Sequence, residues 1–153
     1  MSDWKLPWTG HCRCGETQVR ITEAPLLAMA CHCTGCQTMS ASAYSLSLAI
    51  PESGFVVTAG EPVIGGLHGP VRHYFCPRCM SWMFTRPQEG GYVNLRPTML
   101  DDHRWFEPYV EFWTEEKLGG AATAAVHSYP RTPAVEDIPR LVAEYAQRGR
   151  RPG

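Results

Sequence analysis

The sequence has 153 residues, a formal net charge of −1, 44% hydrophobic and 19% charged residues. That length can bury a core without disulfide staples, and that composition excludes a disordered chain. The charge balance excludes a nucleic-acid binder working by bulk electrostatics, and no apolar run approaches the ~20 residues that a membrane-spanning helix needs.

Residues 1–10 carry Asp3, Trp4, Pro7 and Trp8 and lack a basic segment followed by an apolar one, so neither an export signal nor a lipid anchor is expected. Glycine and proline, 14 and 13 in number, are spread along the chain and cut it into short pieces. Strands are expected within 16–22, 26–33, 43–50, 55–59, 71–75, 82–86, 92–95 and 110–113. The clearest is 43–50, where Tyr44, Leu46, Leu48 and Ile50 alternate with Ser45, Ser47 and Ala49. Asp101, Asp102 and His103 read as a turn, and Trp82, Phe84, Trp105, Phe106 and Trp113 as core aromatics. Residues 119–126 read equally as a loop or a short helix. One helix is expected at about 137–148. Asp137 can cap it, Pro139 fits its first turn, and Ile138, Leu141, Val142 and Tyr145 share a face. Gly149 should end it, leaving 150–153 as a loose tail. The expected architecture is a single, mainly β domain over 1–153 with a C-terminal helix packed outside.

The cysteines carry the chemistry. Seven thiols cannot all pair within one chain. Without an export signal, a reducing cytoplasm is expected, where clustered cysteines serve as metal ligands or redox groups. They fall into three groups with none left over: Cys12 and Cys14; Cys31, Cys33 and Cys36; Cys76 and Cys79. Zinc–sulfur bonds of ~2.3 Å set ligand sulfurs about 3.8 Å apart. A C-x-x-C turn reaches that spacing, and so does a C-x-C pair on one side of an extended chain. Seven ligands divide into four and three. The two distant pairs can close a structural site, while the triplet leaves one position open, as a catalytic site requires. His32 could fill it, but an extended segment that aligns Cys31 with Cys33 turns His32 away. His11 stands in the same relation to Cys12. Both histidines are expected to be exposed or bonded to backbone, with tuning of the metal ligands as the alternative. Three other readings of the thiols compete: a redox C-x-x-C pair, one structural zinc with spare thiols, and an iron–sulfur cluster.

The motifs G-H-C-R-C-G at 10–15, C-H-C-T-G-C at 31–36 and F-C-P-R-C at 75–79 resemble the three zinc motifs of the glutathione-dependent formaldehyde-activating enzyme family, whose domain is shared with centromere protein V. The likeness continues through L-R-P-T-M-L-D-D at 95–102 and P-Y-V-E-F-W at 108–113, and covers roughly residues 8–115. The resemblance implies a zinc-pinned fold of the β-tent type with up to two zinc ions. Cys12, Cys14, Cys76 and Cys79 match the structural ligands, and Cys31, Cys33 and Cys36 those of the catalytic zinc. The implied reaction adds the thiol of glutathione, or a similar small thiol, to formaldehyde or another small aldehyde. The product is S-(hydroxymethyl)glutathione, and the reverse is a carbon–sulfur lyase step. Two positions depart from the pattern. Met80 stands where the family usually has glycine, and Gln37 where it commonly has arginine. The rival reading is a non-catalytic zinc module for a protein or small-thiol partner, which a fourth protein ligand at the triplet would favour.

Overall fold

The computed structural model describes residues 3–65 and 69–153; Met1 and Ser2, where the reading of the N-terminus begins, lie outside them. Short segments bounded by turns form eleven strands among the described residues: β1 (Trp8–His11), β2 (Gln18–Ile21), β3 (Leu27–Cys31), β4 (Ser45–Pro51), β5 (Phe55–Ala59), β6 (Val63–Ile64), β7 (Arg72–Phe75), β8 (Trp82–Arg86), β9 (Tyr92–Leu95), β10 (Val110–Phe112) and β11 (His127–Ser128). They make two open sheets. One is antiparallel in the order β1-β2-β5; the other runs β11-β10-β3-β4-β9-β8-β7-β6. In the larger sheet β10 pairs in parallel with both β3 and β11, and the remaining neighbours are antiparallel. The mainly β reading therefore holds. β5, β8 and β9 have the bounds expected from the sequence; β1, β6 and β11 were not expected, being short and weakly patterned.

The central strand β4 differs from a half-wetted strand. Leu48, Ala49 and Ile50 are buried, and so are Ser45 and Ser47. The polar positions of its period-two pattern face a second interior rather than water. Between β1 and the segment after β9 the backbones approach closely. A Cβ on Gly10 would lie 2.4 Å from the carbonyl oxygen of Met99, so only glycine fits there. Thr9 accepts a bond from the Asp101 N–H at 3.0 Å, which ties the small sheet to this segment. No helix is long and apolar enough to cross a membrane among the described residues.

Two α-helices appear among the described residues where one was expected. The addition is α1 (Thr34–Ser40), which buries none of its residues. The C-terminal helix, α2 (Ile138–Arg148), inserts Leu141 and Tyr145 into the core. Tyr145 packs 5.6 Å from Trp4 and 5.5 Å from Tyr109, ring centre to ring centre, and Trp4 in turn meets Trp8 and Trp105. Asp137 makes no side-chain cap bond, because a 3-10 turn at Val135–Asp137 already puts it in helical conformation. Residues 150–153 are not loose either. Arg150 pairs with Glu107, Arg151 lies 4.1 Å above the Trp4 ring, and Lys5 bonds to the Gly153 carbonyl. Residues 119–126 form a loop. Of the expected core aromatics, Phe84 and Trp105 are buried, while Trp82, Phe106 and Trp113 are half-buried.

Asp137→Ala should therefore change unfolding free energy by less than about 0.5 kcal/mol. Tyr145→Ala should cost about 3–5 kcal/mol, through the cavity left among the aromatic rings. Urea denaturation followed by tryptophan fluorescence checks both.

Candidate metal centres

Four sulfurs come from two turns on different sheets. Cys12 and Cys14 follow β1, where Cys12 N–H donates to the Thr17 carbonyl and Gly15 N–H to the Cys12 carbonyl, each at 3.0 Å. Cys76 and Cys79 occupy the turn between β7 and β8, where Cys76 N–H donates to Ser81 O at 3.1 Å and Met80 N–H to Cys76 O at 2.9 Å. Arg13 N–H donates to Ser81 Oγ at 3.1 Å and joins the two turns. The sulfurs of Cys12, Cys14, Cys76 and Cys79 lie within 4.8 Å of one another. Cys12–Cys14 and Cys14–Cys76 are 3.5 and 3.8 Å apart, the edge length of a tetrahedral zinc–thiolate site. This donor set fits a divalent, thiophilic metal.

The second group is local. β3 ends at Cys31, Cys33 stands at the start of α1, and Cys36 lies in its first turn. The N–H of Cys36 donates to Cys33 Sγ at 3.3 Å, so the thiol itself caps the helix. The sulfurs of Cys31, Cys33 and Cys36 also fall within 4.8 Å of one another, and no fourth His, Cys, Asp or Glu joins them among the described residues. Both cysteine groups can hold a metal ion. In the triplet, hydrogen bonding from Cys31 pulls the Cys36 thiol down to about 5 against burial, helped by Ser45, Cys33 and the charge of Arg96. The same bond to Cys36, together with burial, pushes Cys31 up.

His32 is neither exposed nor satisfied by backbone alone. Its ring is wholly buried, and Nε2 meets Glu111 Oε2 at 2.9 Å. Glu111 also accepts from Thr123 at 2.7 Å and Ser128 at 2.7 Å. Burial raises the Glu111 carboxyl, but the bonds from Ser128, Thr123 and His32 outweigh it and hold it below its ordinary value. Glu111 lies on β10 opposite Ala30, so this buried pair anchors the end of β3 that carries the triplet. His11 is exposed, with Nδ1 2.8 Å from the Cys12 carbonyl. Asp101 and Asp102 bend the chain and the turn itself follows them, closed by Phe106 N–H on the His103 carbonyl at 3.0 Å; Asp101 accepts from Thr9 at 2.6 Å and His103 Nδ1 lies 2.8 Å from the Leu100 carbonyl.

Ser45, opposite Cys31 on the neighbouring strand, and Ser40, which donates to the Cys36 carbonyl, line a cleft of about 450 Å³ next to the triplet. Tyr44, Phe75, Met80 and Trp82 form much of its wall, and Arg96 also lines it. Composition and spacing gave Arg96 no role, yet it is 8% exposed and stacks 3.8 Å from the centre of the Trp82 ring. Burial lowers its guanidinium to about 10, opposed by the negative charges of Cys36 and Cys31, so it stays cationic at neutral pH. Arg96 stands between Leu95, the last residue of β9, and Pro97, which opens a 3-10 turn, and that setting carries no sequence signal of burial.

Comparison with known proteins fits this geometry. The sequence profile described as glutathione-dependent formaldehyde-activating enzyme matches residues 7–116. The chain belongs to this family. A crystal structure of a Rhodobacter sphaeroides protein shares the fold, with a TM-score of 0.52 at 15% identity over 79% of this chain and 99% of that one. No curated protein matches the sequence. The family match contains all seven cysteines, whereas β11, α2 and the Glu111 partners Thr123 and Ser128 lie beyond it.

Both departures from the family pattern have structural consequences. Met80 is held at φ +57°, the left-handed conformation that favours glycine, with its side chain 58% exposed. Gln37 reaches back from α1 and donates to the carbonyls of His32 at 2.7 Å and Glu116 at 3.0 Å. It thus holds the helix against the turn after β10.

Met80→Gly should stabilise the protein by about 1 kcal/mol by removing the left-handed strain. Glu111→Ala leaves His32, Thr123 and Ser128 without their acceptor and should cost about 3 kcal/mol. Chemical denaturation of the two variants gives both values.

Proposed function

We propose that this protein is a zinc-dependent carbon–sulfur lyase-type enzyme that joins a glutathione-like thiol to formaldehyde or another small aldehyde, with one zinc bound by Cys12, Cys14, Cys76 and Cys79 and a second by Cys31, Cys33 and Cys36. The observation that carries the reading is a three-sulfur cluster, one donor short of a tetrahedral set, beside a cleft of about 450 Å³ in a chain of this family. The four-cysteine cluster has a full donor set and spans two sheets, which suits a structural role.

Zinc at the triplet, when bound, would supply a position at which a thiol is held as its thiolate. The protein's own groups prepare the surroundings. The capping bond from Cys36 N–H to Cys33 fixes the turn that presents the sulfurs. Ser45 hydrogen-bonds Cys36, and the His32–Glu111 pair keeps the loop on β10. Tyr44, Phe75 and Trp82 shield part of the cleft from water. In the reaction a sulfur lone pair forms the new bond to the carbonyl carbon. The carbonyl π pair moves to oxygen, which takes up a proton equivalent to the one released by the thiol. Reversal breaks the carbon–sulfur bond and returns thiol and aldehyde.

Exchange NMR with ¹³C-formaldehyde and glutathione tests the reading. The zinc-loaded protein should accelerate interconversion with S-(hydroxymethyl)glutathione, and Cys36→Ser should return it to the uncatalysed rate. Unaccelerated exchange with metal present in the triplet would contradict the enzyme and favour a non-catalytic zinc module.

The division of labour has its own test. Cys76→Ser or Cys79→Ser should unfold the protein, since binding of a structural metal is folding free energy. Cys31→Ser or Cys36→Ser should retain the fold and the first zinc. Native mass spectrometry with thermal unfolding separates the two classes, and equal destabilisation by all four would contradict the assignment.

A further inference from the structure

Arg96 is more than a tie between strands. Its Nη1 donates to the Leu46 carbonyl and to Ser47 Oγ, both at 2.9 Å, and its Nη2 donates to Thr85 Oγ1 at 2.8 Å. A guanidinium has five N–H donors. Its Nε is buried and finds no hydrogen-bond partner among the described residues. A tie between β4 and β8 needs hydrogen bonds but no charge, and a desolvated cation with an unspent donor is costly unless nearby negative charge offsets it. No carboxylate and no second cation lines the cleft beside it, among the described residues. Its acceptor Leu46 adjoins Ser45, which lies opposite Cys31 on β3, so the guanidinium sits on the strand that flanks the triplet, where negative charge on Cys36 and Cys31 favours it.

We propose that Arg96 is a positioning residue whose fixed positive charge selects an anionic sulfur, a substrate thiolate, at the position left open by the three-cysteine cluster. The proposal rests on the thiol-binding reading above and deepens it. Three thiolates and one divalent ion carry a net charge of −1, and an entering thiolate makes it −2. A buried cation opposes that build-up, but it offers no comparable gain to a neutral ligand such as water. Trp82 holds the guanidinium in place through the stacking contact, and the bonds to Leu46 and Thr85 suffice to keep it from turning out to solvent.

The test uses full-length protein with cobalt in place of zinc, titrated with 2-mercaptoethanol and with glutathione while the thiolate-to-cobalt absorption is followed. 2-Mercaptoethanol carries no carboxylate, so any dependence on Arg96 reports the charge on sulfur. R96M should weaken binding of both thiols about tenfold or more, by a similar factor. R96K, which keeps the charge but loses the planar fork, should stay within about threefold of the parent. S47A, which removes one tie and leaves the charge, should bind normally. Should R96M not fold, R96K decides alone: retained affinity supports the proposal and lost affinity overturns it. Equal weakening by R96M, R96K and S47A would reduce Arg96 to a structural tie. Loss for glutathione alone would make it a carboxylate holder, and no loss in R96M would leave it without this role; each of these results overturns the proposal. A parent protein that binds 2-mercaptoethanol but not glutathione would refute glutathione as the thiol, while Arg96 is still judged on 2-mercaptoethanol. A parent that binds neither thiol refutes both.

Discussion

The convergence of four cysteine sulfurs from turns 62 residues apart is the constraint on which the rest of the structure depends. The turn after β1 belongs to the small sheet, and the turn between β7 and β8 to the large one. Four thiols within 4.8 Å of one another gain little as neutral groups and would repel as bare thiolates. A bound cation would reverse that balance and clamp the two sheets together. The same clamp would fix the start of β8, and with it Trp82, Thr85 and the wall of the cleft.

The second cluster depends on a different device. Its cysteines are close in sequence, so little loop closure is needed, but the loop must be aimed. Cys31 closes β3, Cys33 caps α1, and His32 is driven into the interior against Glu111. Glu111 is held from the far side by Thr123 and Ser128, which lie beyond the residues that match the family. The C-terminal part of the chain therefore supports the loop that carries the triplet. Its helix is locked on by Tyr145 among Trp4, Tyr109 and their neighbours rather than by a capping side chain.

The grouping of the cysteines was legible in the sequence because thiol spacing is a short-range property. C-x-C and C-x-x-C fix their own geometry, and the seven sulfurs do fall into the expected four and three. Strands with branched or aromatic runs, such as Phe55–Ala59 and Trp82–Arg86, were legible for the same local reason. What could not be read was long-range. His32 looked surface-bound because its buried partner is 79 residues away. Arg96 showed no sign of burial, since its ligands on β4 and β8 come from strands assembled only in the fold. The seven-residue helix after Cys33 escaped because its cap is a thiol and it has no apolar face. Asp137 illustrates the opposite failure: the residue type suits a cap, but the backbone before it was already helical.

The central claim is that the two cysteine groups hold two metals of unequal completeness. Zinc X-ray absorption of the fully loaded protein, before and after addition of glutathione, measures it most directly. Four and three cysteine ligands predict an average of about three and a half sulfurs at ~2.3 Å per zinc, rising to about four when the thiol binds. An average of four sulfurs before thiol is added, or a nitrogen ligand with no change on adding it, would mean that both sites are closed and would contradict the account.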